Sequence, residues 1–100
     1  KSSNLMFLFI LEDKIRKRKK MYKKNSYTSY LYQLGTKRIA QKVGEEAIET
    51  ILATINKDKN ELINEASDLI YHLIVLLHDQ NLSLETIINN LYNRQNISIK

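Results

Sequence analysis

The chain has no cysteine, no proline and only two glycines. Without cysteine there is neither a disulfide framework nor a thiolate metal site, which argues against zinc and fits a reducing, cytoplasmic setting. Without proline, and with so little glycine, the punctuation of strand-and-turn folds is missing. A membrane-length apolar run is missing too. The apolar start, Leu5 to Leu11, is too short to cross a bilayer, and its basic cluster follows it, where a secretory signal places charge first. No membrane partner is expected.

What charge there is lies unevenly. The net value of +5 divides into +7 over residues 1–24, nine Lys/Arg against Glu12 and Asp13, and −2 over residues 25–100, seven against nine. The block Lys14-Ile15-Arg16-Lys17-Arg18-Lys19-Lys20 could bind nucleic acid or phosphorylated ligands through charge alone, and it reads equally as a solvated helix face. A first residue that is Lys and not Met is also what a processed chain, or a piece of a longer one, would have.

At 100 residues, with 43% hydrophobic and 27% charged side chains, the sequence supports one core and a single domain over residues 1–100. Apolar residues recur at helical spacing, so the expected fold is all-α, a helical hairpin or bundle of four to five helices. The first helix is expected from about Asn4 to Lys24, broken at Asn25-Ser26, and a short one from Thr28 to Leu34 ends at Gly35. Thr36 can cap a third helix to about Asn56, with Ile48, Ile51, Leu52 and Ile55 as its apolar stripe. Asp58-Lys59-Asn60-Glu61 has the form of a capping box opening a fourth, which stops near Asn81. Ser83 caps the last, with Leu84, Ile87, Ile88 and Leu91 facing inward and a polar tail beyond Arg94. The fourth helix, apolar on nearly every side from Leu69 to Leu77, is expected to be buried between subunits of a homodimer.

Two acidic pairs stand on the third and fourth helices: Glu46-x-x-Glu49 and, after fifteen intervening residues, Glu65-x-x-Asp68. Three-residue spacing puts each pair on one helix face. In an αα-hairpin turning near Asp58, Glu49 stands roughly nine residues before the turn and Glu65 roughly seven after it, so at about 1.5 Å per residue the pairs share a layer. Four converging carboxylates suit a hard cation, Mg²⁺ above all, which leaves its remaining positions to water and phosphate oxygens. Mn²⁺ is the alternative.

The runs Ser26-Tyr27-Thr28, Lys37 to Glu49 and Glu65 to Leu77 carry a likeness to a known group. Over about Leu8 to Arg94 the chain resembles the all-α nucleoside-triphosphate pyrophosphohydrolases of the MazG type, and among them the phosphoribosyl-ATP pyrophosphohydrolases of histidine biosynthesis. Ser67 and Asn81 depart from that pattern, and neither touches the acids. The resemblance implies Mg²⁺-dependent hydrolysis of phosphoribosyl-ATP, with Glu46, Glu49, Glu65 and Asp68 holding the metal. Glu45 then becomes the candidate that positions or deprotonates water, and Lys37 and Lys42 the candidates for phosphate oxygens, although Lys42 could simply pair with Glu46 one turn on. His72 could orient a ligand carboxylate or donate to substrate, or be a satisfied buried histidine. Tyr71 reads as core or subunit contact, and Tyr27 with Tyr30 could stack on adenine or cover the hairpin. The resemblance also implies a homodimer, no nucleic-acid partner, and a cyclohydrolase domain that precedes this one in some parent chains. Two other readings stay open: a house-cleaning pyrophosphohydrolase of the same superfamily, and a non-enzymatic helical module binding nucleic acid through residues 14–24.

Overall fold

The computed structural model describes residues 2–98, which form a short 3-10 segment over Ser2–Met6 and five α-helices, with no strand among them. These are α1 Phe7–Lys20, α2 Tyr27–Leu34, α3 Thr36–Ile55, α4 Lys59–Asp79 and α5 Leu84–Ser98. The all-α expectation holds. No helix of the described residues is long and apolar enough to cross a membrane.

The helix boundaries follow from local chemistry. α1 stops at Lys20, four residues before the expected end, where Met21 turns extended and its N–H donates to the Lys17 carbonyl. Ser26 does more than break a helix: its hydroxyl accepts from the Ser29 N–H at 3.1 Å and caps α2. Gly35, at φ +97°, ends α2 and also starts α3, so Thr36 is the first helical residue and not the cap. Its hydroxyl instead donates to Asp79 across the hairpin, at 2.8 Å.

At the hairpin turn Lys57 takes a left-handed φ of +58°, and Asp58 caps α4 by accepting from the Glu61 N–H at 3.0 Å. The other half of the expected capping box does not form among the described residues. The Asp58 N–H already donates to the Ala53 carbonyl, which leaves the Glu61 side chain free for another neighbour. Asn81, at φ +61°, stops α4 as expected, and the Ser83 hydroxyl accepts from the Thr86 N–H to open α5. α5 continues to Ser98, past the expected start of the polar tail.

The core lies where α1 and α2 cross the C-terminal half of α4 and the start of α3. Ile15, Leu31, Ile39, Ile74 and Val75 are fully buried there, with Leu11, Tyr32, Tyr71 and Leu84 packed around them. The fourth helix contributes most to this core. Its apolar girth from Leu69 to Leu77 is largely covered within one chain, and only Ile70 and Leu73 are left exposed. The uncovered apolar surface sits instead on the half of the hairpin nearest the turn, which projects beyond the core. Ile48, Ile51, Leu52 and Ile55, expected as the inner stripe of α3, are 52–67% exposed, and Ile63 on α4 is exposed beside them. Of the residues expected to face inward from α5, Leu84 and Ile87 are partly buried, whereas Ile88 and Leu91 are exposed.

Candidate metal and phosphate site

The hairpin brings three carboxylates together. One oxygen each from Glu46, Glu49 and Glu65 lie within 4.8 Å of one another. Glu46 is buried at 7% exposure, and both its Oε1 and the Oε1 of Glu65 are buried without a hydrogen-bond partner. An orphaned carboxylate oxygen is costly in an interior, and two of them facing a third acid make sense only with a cation or shared protons between them. The donors are hard oxygens, and the set fits a divalent metal.

Asp68 is exposed and stands outside this group of three, although it lies three residues beyond Glu65 on the same helix. Glu61, expected to complete a capping box, lies one turn before Glu65 and lines one recess with it and Glu49. The Glu61 carboxyl one turn away, then burial, then Glu49 and Glu46 together push the Glu65 carboxyl up to about 8. In the metal-free protein this carboxyl keeps its proton at neutral pH, which is the alternative to a cation for holding like charges together. The spacing of Glu61 and Glu65, one turn apart, was the available signal.

Beside the acids is a cationic edge on α3. Lys42 Nζ lies 3.5 Å from Glu46 and 3.7 Å from Glu45, and Arg38 lies 3.6 Å from Glu45. Burial works against the charge of Lys42, but Tyr27, Glu46 and Glu45 outweigh it and hold its pKa above the ordinary lysine value. Glu45 is held by a 2.8 Å hydrogen bond from Gln41, and this bond, with Arg38 and Lys42, keeps its carboxyl below the ordinary glutamate value. Glu45 therefore turns toward the cations and not toward the other acids. Lys37 is exposed and pairs with none of these carboxylates among the described residues; Arg38 holds the position near Glu45 instead, because seven residues make two helical turns.

An aromatic wall completes the site. His72 is buried, and its two ring nitrogens are both engaged: Nδ1 with the Asp68 carbonyl at 2.7 Å and Nε2 with the Tyr27 hydroxyl at 2.8 Å. A carbonyl can only accept, so Nδ1 carries the proton, Nε2 of the neutral ring accepts, and Tyr27 donates. Both ring nitrogens of His72 are therefore satisfied within the chain, and its outward contact is through Tyr27. The Tyr71 ring stacks at 6.2 Å on Tyr27, and its hydroxyl bonds Thr28. Tyr30 stands 6.5 Å from Tyr27, half-exposed.

Known proteins of similar sequence give the family of the chain. The chain is 66% identical over 92 residues to the histidine biosynthesis bifunctional protein HisIE of Buchnera aphidicola subsp. Acyrthosiphon pisum, covering 92% of this chain and 43% of that protein. It is 56% identical over 93 residues to the protein of the same name from Salmonella typhimurium, covering 93% of this chain and 46% of that one. The chain therefore spans less than half the length of the curated relatives it matches. The phosphoribosyl-ATP pyrophosphohydrolase family matches residues 10–95, the whole of the hairpin and most of α1 and α5, and the chain belongs to that family.

Proposed function

We propose that this chain hydrolyses phosphoribosyl-ATP to phosphoribosyl-AMP and pyrophosphate, the second step of histidine biosynthesis, in the cytoplasm. The observation that carries the reading is the convergence of Glu46, Glu49 and Glu65 with two orphaned oxygens, in a chain of this family. Membership of a pyrophosphohydrolase family goes with a divalent metal, and Mg²⁺ is the ion proposed, with Mn²⁺ as its substitute. Glu46, Glu49 and Glu65 would hold it, joined by Asp68. A bound cation of this kind neutralises charge on the phosphates and acidifies a coordinated water.

The chain's own residues do the rest. Lys42 is placed by Glu46 and Glu45 to meet phosphate oxygens, and Lys37 would reach them only when substrate is present. Glu45 is ionised and lies at the edge of the acids, where it positions the attacking water or takes its proton. Tyr27, fixed by His72, offers a ring face to the adenine.

A second copy of the chain is proposed to cover the exposed apolar residues Ile48, Ile51, Leu52, Ile55 and Ile63, which flank the acids on the hairpin. The matched segments leave more than half of the relatives' length unmatched. That leaves room for the cyclohydrolase domain expected upstream in parent chains. Pyrophosphate release from phosphoribosyl-ATP, measured against dUTP and dCTP with and without Mg²⁺, tests the reading. Preference for phosphoribosyl-ATP is expected; faster release from dUTP or dCTP would favour the house-cleaning alternative.

A further inference from the structure

The basic block divides into two faces with different surroundings. Arg16 and Lys17 pair with Asp13 on the same helix. Lys14 and Arg18, one turn apart on α1, face another way, toward Lys23 and Lys24 in the turn that follows. These four line one recess of about 370 Å³, with the start of α2 at Ser26 and Thr28 and the ring of Tyr71 as its other walls. Among the described residues none of the four cations has a carboxylate within 4.0 Å, whereas Arg38 and Lys42 at the metal site both do. Four cations around one recess, with no carboxylate beside them, attract an anion.

The recess and the acids share one wall. Tyr71 lines the recess, stacks on Tyr27 and bonds Thr28. Tyr27 in turn reaches His72 and feels the charges of Lys42 and Glu46. The order along the surface is therefore cationic recess, aromatic wall, then carboxylates. A nucleotide carrying a triphosphate and a separate sugar phosphate presents the same order of chemistry: a phosphate monoester, a flat base, and an anhydride chain that needs a metal. The acidic end repels a bare phosphate monoester, which is close to a dianion at neutral pH. It must be bound elsewhere.

Resting on the proposed function, we propose that the recess of Lys14, Arg18, Lys23 and Lys24 is the subsite for the phosphoribosyl phosphate of the substrate, and that it separates phosphoribosyl-ATP from ATP. Arg18, half-buried, gives the planar two-point contact, and the lysines add charge.

The test compares two double variants of equal charge change. Arg18→Gln/Lys23→Gln removes two recess cations, and Lys17→Gln/Lys20→Gln removes two from outside it. The recess variant is expected to raise KM for phosphoribosyl-ATP at least about tenfold, the loss of roughly one charge-assisted hydrogen bond, while kcat stays within about threefold. The outside variant should leave KM within about twofold, since exposed charge only steers encounter. Ribose 5-phosphate, titrated in EDTA and followed by amide shifts, should bind the parent and bind the recess variant at least about tenfold more weakly. Equal KM in the two variants, or ribose 5-phosphate binding that is absent in the parent or unchanged in the recess variant, overturns the subsite. If the parent releases no pyrophosphate from phosphoribosyl-ATP, the proposed function fails, and the ribose 5-phosphate titration alone decides the recess.

Discussion

The Tyr27 hydroxyl donates to Nε2 of His72 at 2.8 Å, and this one bond ties the start of α2 to the middle of α4 beside the carboxylates. It joins residues 45 apart in the chain and fixes the attitude of the tyrosine ring, while the Asp68 carbonyl at Nδ1 sets the tautomer of the histidine. Tyr27→Phe keeps the ring and removes the donor, leaving Nε2 of a buried imidazole without a partner. The expected cost is about 1–3 kcal/mol. In a domain of this size each kcal/mol is about 4–8 °C of Tm. Calorimetry checks it, and a Tm within a degree of the parent would show that the bond contributes nothing.

Neutralising the acids should separate activity from stability. Glu46→Gln, Glu49→Gln, Glu65→Gln and Asp68→Asn are each expected to lower kcat by at least about a hundredfold with the helical circular dichroism intact. Glu46→Gln and Glu49→Gln should also raise the Tm of the metal-free protein at neutral pH, because each removes a repelling charge from the group, whereas Glu65→Gln replaces a carboxyl that still holds its proton there and should help only above about pH 8. Asp68→Asn decides whether the fourth acid joins the other three. Activity near the parent's would leave the metal with three carboxylates.

The raised pKa of Glu65 makes the metal-free protein sensitive to pH. Its carboxyl moves from the ordinary 4.5 to about 8 in the folded chain. Between those values the folded chain holds a proton that the unfolded chain has released, so stability contributed by this group is whole below 4.5 and declines as the pH climbs to about 8. Urea midpoints measured in EDTA should fall across this window, and Glu65→Gln should flatten the fall. Mg²⁺ should restore stability most at the upper end, where the carboxylates are ionised.

Glu45 has two proposed roles with different signatures. As the base it would contribute on the order of 10²–10⁴ to kcat, so Glu45→Gln would lose that much with KM little changed. As the group that positions water and steadies Arg38 and Lys42, its loss would cost only several-fold and fall mainly on KM. The second outcome is expected, since Gln41, Arg38 and Lys42 hold the carboxylate and depress its pKa. Steady-state kinetics in Mg²⁺ distinguishes the two.

Subunit association is best probed on α3. Ile51→Asp and Ile55→Asp alter exposed residues, so each chain should fold but fail to pair, and activity should fall with the dimer fraction on dilution. Ile74→Asp is a poor probe because Ile74 is wholly buried within one chain, and its charge should cost several kcal/mol of folding stability. Sedimentation alongside pyrophosphate release tests the pairing. A monomeric Ile51→Asp chain with the parent's kcat would show that one subunit holds a complete site.

Much of this protein follows from the chain order alone. The lack of proline, the helical recurrence of apolar residues, and Ser26, Gly35, Asp58, Asn81 and Ser83 at the boundaries determined five helices, because caps and stops are chosen within a few residues of sequence. The same periodicity put Glu46 with Glu49 on one face, and the hairpin's short turn put Glu65 in their layer. Only the tertiary structure decided which apolar face is covered. α3 and α4 are both apolar enough to be core, and it is the crossing of α1 and α2 over one end of the hairpin that buries Ile74 and Val75 and leaves Ile48 and Ile55 outside. It also decided the company each polar group keeps. Glu61 joins Glu49 and Glu65 around one recess, Glu45 pairs with Arg38 and Lys42, and Lys14 and Arg18 meet Lys23 and Lys24 around another. Such pairings depend on side-chain direction between elements, which sequence spacing does not encode.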